Sequence, residues 1–461
     1  MLDAVKIESS FLTIAALAKG DHAEAELLVE GGESLRLSVN EGKLEKFDSS
    51  QSNVGGLRVI LNGVEGYCWT ESLETSDLEA AYHEALENAR FASRGRTADQ
   101  LATEAVELFS STSKVAEDPK LFNDSLSSVS MDDKIARAME IERRTKATDA
   151  RIASVPYNSY GESSGEFLVF NTRGVRARQR RTSVSGYSYC LAKQGEEARM
   201  AGESFFTRDA SAVASTVLDE VARTAAEKAL LKLGASSPET GRYPIVIDRD
   251  VVAELFGLIV DYFSAKSVSE KTSIFGDDLG KVIGSPLLTL TDDPSIAGGV
   301  GNQSFDAEGA PSRKTELIRD GVLNSFLTNS VYAKKMRLPH TASASRSAKG
   351  ELGIGPSNLI VSPGKDSFED LLNAYPKLIY ITDFTGYHAG FRQGSGEFGF
   401  QSEGELFENG KRVKALCNFV VAGSIRELLT NVEKVSSRTT KIVSSVVAPD
   451  LLIKSLSVAG A

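Results

Sequence analysis

The sequence predicts an α+β protein, with antiparallel sheets covered by helices in its N-terminal part and a larger β-rich domain at its C-terminal end. Three observations carry this. Alternating apolar runs recur over residues 23–70 and 151–206, each set followed by an amphipathic helix. The pairs Asn62-Gly63, Asp320-Gly321 and Asn409-Gly410 sit where hairpins would turn, and they supply the positive φ that a type I′ turn needs at both central residues. The stretch Thr382–Asn431 holds eight glycines between Gly386 and Gly423, each of which would cost a helix interior about 1 kcal/mol relative to alanine.

At 461 residues the chain is long enough for two or three domains, and its pattern divides at 1–95, 96–235 and 236–461. With 41% apolar and 25% charged residues it belongs with ordinary globular proteins, not disordered or fibrous ones. A net charge of −11 speaks against a nucleic-acid surface, which needs clustered Lys and Arg. No apolar run approaches the ~20 residues of a membrane-spanning helix. Phe11–Ala18 is apolar but follows Asp3 and Glu8 without a basic segment, so it reads as a helix and not a signal peptide. Cys68, Cys190 and Cys417 are far apart and odd in number, which gives no disulfide framework and points to a reducing cytoplasm.

Taken in order, Ile7–Lys19 is the first helix, closed by Gly20. Ala23–Val29, Ser34–Asn40, Lys43–Asp48, Gly56–Leu61 and Val64–Thr70 alternate as strands of a meander. Ser76-x-x-Glu79 reads as a capping box opening a helix whose Leu78, Tyr82, Ala85, Ala89 and Ala92 share one face. Arg96–Ser130, rich in Ser, Asp and Glu, is a long connection with at most one helix. Asp132–Lys146 is a helix; Arg151–Tyr157, Glu166–Asn171, Val175–Leu191 and Met200–Phe206 are strands; Ala212–Leu233 is a helix closed by Gly234. The last domain opens with a strand, Tyr243–Ile247, and an apolar helix, Val251–Phe263, interrupted by Glu254 and Asp261. Phe400–Glu408 and Lys411–Ala422 flank the Asn409-Gly410 turn.

The ordered glycines, Ser-Gly-Glu-Phe at 395–398 and Glu-Asn-Gly at 408–410 resemble the C-terminal signature of the TldD/PmbA (TldE) family. Its members are cytosolic bacterial and archaeal proteins, some of them zinc metallopeptidases, once called modulators of DNA gyrase. Asp306-Ala307-Glu308-Gly309-Ala310-Pro311 with its following hairpin, Arg58–Tyr67, and Pro449–Gly460 are similar to family segments too, so the resemblance covers nearly all of 20–461. The catalytic branch, TldD, carries His-Glu-x-x-x-His on the helix that opens the last domain and takes a third zinc ligand from a Cys near the C-terminus. Here the matching helix contains no His. Placed without gaps, Phe256, Gly257 and Asp261 stand where His, Glu and His would be. Cys417 falls inside an expected strand, and no Cys follows Asn431. The resemblance therefore implies the PmbA/TldE branch: no metal, no cofactor and no catalytic residue of its own. It also implies partnership with a TldD-like zinc-bearing subunit or a second copy of itself, and peptides as substrates.

Individual residues leave alternatives. Gly386, Tyr387, His388, Gly394, Ser395 and Gly396 belong either to a glycine-rich turn of an ordinary sheet or to a groove that takes an extended peptide along a sheet edge. His388, with Asp383 and Ser395, suggests a nucleophile–His–Asp relay, although no strand–turn–helix elbow surrounds Ser395; a structural hydrogen bond is the simpler reading. His83-Glu84 mimics the start of a zinc motif, but Glu87 and Asn88 stand where a second ligand would be, so it reads as a surface pair. His22 and His340 read as solvated loop residues. Arg176, Arg178 and Arg180 project from one strand face, as an edge strand blunted by charge or as an anion-binding stripe. Three functions remain open: a non-catalytic subunit of a TldD-type peptidase, a free-standing homodimeric peptide binder, and an independent hydrolase using His388.

Overall fold

The computed structural model describes residues 2–97, 100, 105–111 and 115–460. Helix α1 (Ala4–Gly20) starts where the Asp3 side chain accepts the Lys6 amide, and it buries Ile7, Phe11, Ile14 and Ala18, spaced three and four residues apart. Strands β1 (Glu24–Asn40) and β2 (Lys43–Leu61) are each continuous where the sequence suggested two runs. Gly31 and Gly32 do not break the ladder, because they stay paired with Asn53 and Ser52. Asn62 and Gly63 turn with φ of 51° and 79° into β3 (Val64–Thr70).

Helix α2 (Thr75–Ser93) buries Leu78, Ala81, Tyr82, Ala85, Leu86 and Ala89. The expected capping box does not form. The helix starts at Thr75, whose hydroxyl lies 2.8 Å from that of Ser10 in α1, so Ser76 already sits inside the first turn. The long connection carries a 3₁₀ turn at Pro119–Leu121 and a four-residue helix at Ser125–Ser128. Its residues 98–99, 101–104 and 112–114 lie outside the described residues.

Beyond the helix Met131–Ala147 come β4 (Ile152–Asn171), β5 (Arg176–Gln194) and β6 (Glu197–Thr207). They join the first three strands in one antiparallel sheet of order β3-β2-β1-β4-β5-β6. Leu27 of β1 pairs with Phe170 of β4, so the ladder runs across the sequence division near residue 95. Helices α1 and α2 cover one part of the sheet over Leu27, Leu57 and Phe170. Met131–Ala147 and Ser215–Leu231 cover another, over Leu37, Tyr160 and Val184.

Neither reading of the arginine stripe holds. β5 is interior, between β4 and β6, and each guanidinium already has an acidic partner. Arg176 lies 3.3 Å from Glu8 and over the Phe11 ring, Arg178 is 2.5 Å from Glu166, and Arg180 is 3.0 Å from Glu117 and over the Phe122 ring.

In the last domain, β7 (Gly241–Ile247) lies between Lys377–Thr385, parallel, and Pro449–Gly460, antiparallel. Lys411–Ser424 follows Pro449–Gly460, Glu397–Glu408 follows Lys411–Ser424, and Glu397–Glu408 pairs back to Lys377–Thr385. The sheet thus closes on itself into a ring. Asn409 and Gly410 turn with φ of 48° and 72° as their types require. A smaller five-stranded sheet carries the Asp320-Gly321 hairpin. One core joins them, with Ile245, Phe256, Phe263, Phe384, Phe400, Val421 and Leu451 among its members.

Candidate functional site

Asp248 opens the helix Arg249–Ile259 by accepting the Asp250 amide at 2.8 Å. Val251, Val252, Leu255, Phe256 and Ile259 turn inward on the helical period and are buried. Phe256, 1% exposed, is a core residue and does not face a cleft. Gly257 is exposed, and Asp261 is exposed on the 3₁₀ turn Val260–Phe263 that prolongs the helix. A benzyl group, a hydrogen and one solvated carboxylate do not fit zinc, whose catalytic sites use three protein donors converging on one point. Cys417 lies in the strand Lys411–Ser424, buried, with its sulfur 3.2 Å from Arg199 Nη2.

Around the polar side of this helix the ionisable groups are paired. Tyr387 donates to Glu254 at 2.7 Å, and burial holds the Glu254 carboxyl above its ordinary range. Tyr380 donates to Asp248, which burial and then Asp250 push up to about 6. Lys232 bridges Asp383 at 3.0 Å and Glu403 at 2.7 Å. The proposed relay is therefore not assembled: Asp383 is held by Lys232, the Ser395 hydroxyl lies 3.3 Å from Glu397, and among the described residues no hydrogen bond joins His388 to either. His388 sits exposed on the short turn Tyr387–Gly390. The six groove candidates separate. Gly386, His388, Gly394 and Ser395 are exposed, whereas the Tyr387 ring packs on Phe400 at 4.9 Å and Gly396 is buried beside Ile274.

Sequence reasoning missed a buried charge cluster where the N-terminal sheet meets the last domain. Arg58 of β2, Glu26 of β1, Glu308 and Arg346 have side chains with no exposed surface. Arg58 Nη1 lies 3.4 Å from Glu308 and 3.8 Å from Glu26, and Arg346 Nη2 lies 3.0 Å from Glu26. Asp306, Glu308 and His340 are, among the described residues, the one trio of potential metal ligands lying together. Their oxygens are already in use. Asp306 accepts the amides of Glu308, Ala310 and Ala344, and Glu308 accepts the amide and hydroxyl of Ser330. Burial and then the Glu308 charge push Asp306 well above the carboxylate range. Burial also raises Glu308, but His340, Arg58 and Ser330 outweigh it and hold it below its ordinary value. Two guanidiniums so near would repel a dication, so this donor set does not fit zinc either. His340 is not the solvated residue expected: its side chain is 19% exposed and its ring stacks on Phe109 at 5.3 Å. The Asp-Ala-Glu-Gly run was legible, but its arginine partners lie too far away in sequence for any spacing to reveal them.

Comparison with known proteins agrees along the whole chain. Models of PmbA/TldA metallopeptidase domain 1, central domain and C-terminal domain match residues 25–89, 124–233 and 240–460. A metalloprotease of Methanocaldococcus jannaschii is 24% identical over 95% of this chain and 93% of its own length. Metalloprotease PmbA of Escherichia coli O157:H7 is 24% identical over 97% of this chain and 96% of its own. The crystal structure of TldE from Thermococcus kodakarensis superposes with a TM-score of 0.86 at 20% identity, covering 98% of this chain and 100% of that one. A Thermotoga maritima structure described as a candidate modulator of a DNA gyrase superposes at 0.88 with 24% identity, with the same coverage. Three family domains in unbroken order, relatives aligned nearly end to end and a shared fold give one conclusion: the chain belongs to the PmbA/TldD metallopeptidase family.

Proposed function

We propose that this chain is the non-catalytic, TldE-like subunit of a TldD/TldE-type zinc metalloprotease, and that it completes the chamber in which a zinc-bearing TldD-like partner cleaves unfolded peptides in the cytoplasm. One observation carries the reading. The helix Arg249–Ile259 and the 3₁₀ turn that prolongs it sit on the core of the last domain, and where the family resemblance would put the zinc donors they carry Phe256, Gly257 and Asp261. A peptidase framework without zinc donors suits a subunit that shapes a substrate space while another supplies the metal. Gly386, His388, Gly394 and Ser395, all exposed, are in this reading the residues offered to an extended peptide, where small residues let backbone approach backbone. The chain holds no cofactor of its own in this reading. Among the described residues no helix is long and apolar enough to cross a membrane.

The test is reconstitution. The purified chain, mixed with the TldD-like subunit of the same organism, is expected to co-elute with it and to raise its cleavage of an unfolded peptide. Absence of both effects removes the proposal. So does stoichiometric zinc bound by the isolated chain. A stable homodimer that binds peptide and ignores the TldD-like subunit would support the free-standing binder instead.

A further inference from the structure

The first hairpin of the N-terminal sheet leaves an edge unpaired. β3 lines the outer side of β2 only from Gly55 to Leu61. Between Lys43 and Val54, β2 is paired with β1 on its inner side and, among the described residues, with no strand on its outer side. Lys43–Ser52 is exposed throughout except at half-buried Leu44. The arm is held at its tip, where Glu142 accepts the amides of Glu41 and Gly42, each at 2.8 Å.

The Asn62-Gly63 turn fixes which backbone groups of β2 face outward. A two-residue turn is closed by a hydrogen-bonded pair, here Leu61 with Val64, and bonding alternates along an antiparallel ladder. Neither ladder of β2 slips between Lys46 and Leu61, so the amides and carbonyls of Phe47, Ser49, Gln51 and Asn53 point away from β1. The Phe47 ring, 48% exposed, lies on the face of its β1 partner Leu37, which is buried in the core under Met131–Ala147. Lys46 and Asp48 lie on the opposite face, and neither forms an ion pair among the described residues.

A long exposed edge is a template for another strand, and a charge or a bulge commonly blunts it. β2 has the bulge, at Glu45, where its ladder with β1 gains a residue. Its charges, however, complement themselves. We propose that the outer edge of β2 pairs antiparallel with the same edge of a second copy of this chain, with Phe47 of both copies at the two-fold axis. Outward groups must meet outward groups, so the axis falls on a residue and not between two. On Phe47 it sets Lys46 of each copy opposite Asp48 of the other, and brings the two benzyl groups together on the helix face. On Lys46 or Asp48 it would oppose like charges, and on Ser49 it would set Lys46 and Asp48 opposite serines and Phe47 opposite Gln51. A strand of an unrelated protein would meet the same backbone but not this pattern of charge.

The test is sedimentation velocity of the isolated full chain over a range of concentrations. A dimer is expected, with a Kd on the order of 10 μM for so short a pairing. Asp48→Lys, at an exposed position, is expected to weaken it at least about tenfold. The double variant Lys46→Asp, Asp48→Lys is expected to restore it, because both pairs re-form with their signs exchanged. Phe47→Cys is expected to give a covalent dimer with a short bismaleimide where Leu12→Cys, exposed on α1, does not. A chain still monomeric at about 200 μM, a dimer indifferent to Asp48→Lys, a double variant no better than the single one, or Phe47→Cys without a cross-link overturns the proposal. No TldD-like subunit is present, so this outcome and that of the reconstitution are read independently.

Discussion

Arg58 of β2 and Glu308 of the last domain meet at 3.4 Å with both side chains wholly excluded from water. Together with Glu26 and Arg346 they join the N-terminal sheet to the last domain, beside an apolar cluster in which Leu28 and Val169 meet Phe305, Ala344 and Leu352. Removing the cation leaves the Glu308 carboxylate desolvated without its guanidinium, while Glu26 keeps Arg346 at 3.0 Å. Arg58→Met is therefore expected to cost about 3–5 kcal/mol, read from the urea midpoint at constant m-value. Arg58→Met with Glu308→Leu is expected to recover part of that loss, since an apolar pair carries no desolvation penalty. A single variant as stable as the parent would show the pair to be idle.

Asp292 gives a pH dependence of definite sign. Its Oδ1 accepts the amide and hydroxyl of Ser357 at 2.7 and 2.6 Å, yet burial pushes its carboxyl up to about 6 from 3.8. The folded state thus holds this proton more tightly than the unfolded chain. The stability it contributes is whole below about pH 4 and is lost as pH rises through about 6. Asp292→Asn keeps the accepting oxygen and removes the titration. It is expected to flatten the pH 4–6 part of the stability curve and to gain on the order of 1–3 kcal/mol above pH 7, measured by thermal melts across pH. A variant curve parallel to that of the parent would exclude Asp292 as the cause.

Phe256 tests whether the helix of the last domain is structural. Its ring is 1% exposed within the main core, so Phe256→Ala is expected to cost about 3–5 kcal/mol in chemical denaturation. The double variant Phe256→His, Asp261→His is expected to bind no stoichiometric zinc, because the first position points inward and the second outward. Tight zinc binding by that variant would contradict the placement.

Gly321 and Gly42 separate backbone strain from close approach. Both have positive φ, 80° and 70°. A Cβ at Gly42 would meet open space, so Gly42→Ala is expected to cost about 1–2 kcal/mol from conformation alone. A Cβ at Gly321 would lie 2.4 Å from the Gly284 carbonyl and 2.6 Å from that of Ser285. Gly321→Ala is therefore expected to be the more damaging of the two by denaturation midpoint, and the reverse order would refute the steric account.

What was readable in the sequence was local. Asn62-Gly63, Asp320-Gly321 and Asn409-Gly410 all turn as expected, because two adjacent residues decide the turn. The helix Arg249–Ile259 was equally plain, since its apolar residues recur on a local period. What escaped depends on distant partners. The arginines at 176, 178 and 180 looked exposed until Glu8, Glu166 and Glu117 were placed beside them. His340 looked solvated until Phe109 stacked on it. The closure of the last sheet rests on pairs such as Ile381 with Gly404 and Val246 with Leu452, which no periodicity foretells.

The ladder between β1 and β4 bears on how the molecule is made. Leu27 pairs with Phe170, so the first strands emerge from the ribosome long before their neighbour exists. Until then β1 presents a row of free amides and carbonyls, a template for mispairing with other nascent chains. Completing that sheet requires closing a large loop, which slows the productive encounter. Synthesis of this chain is thus expected to lean on chaperones through its first third, and a version truncated before β4 should aggregate where the whole protein does not.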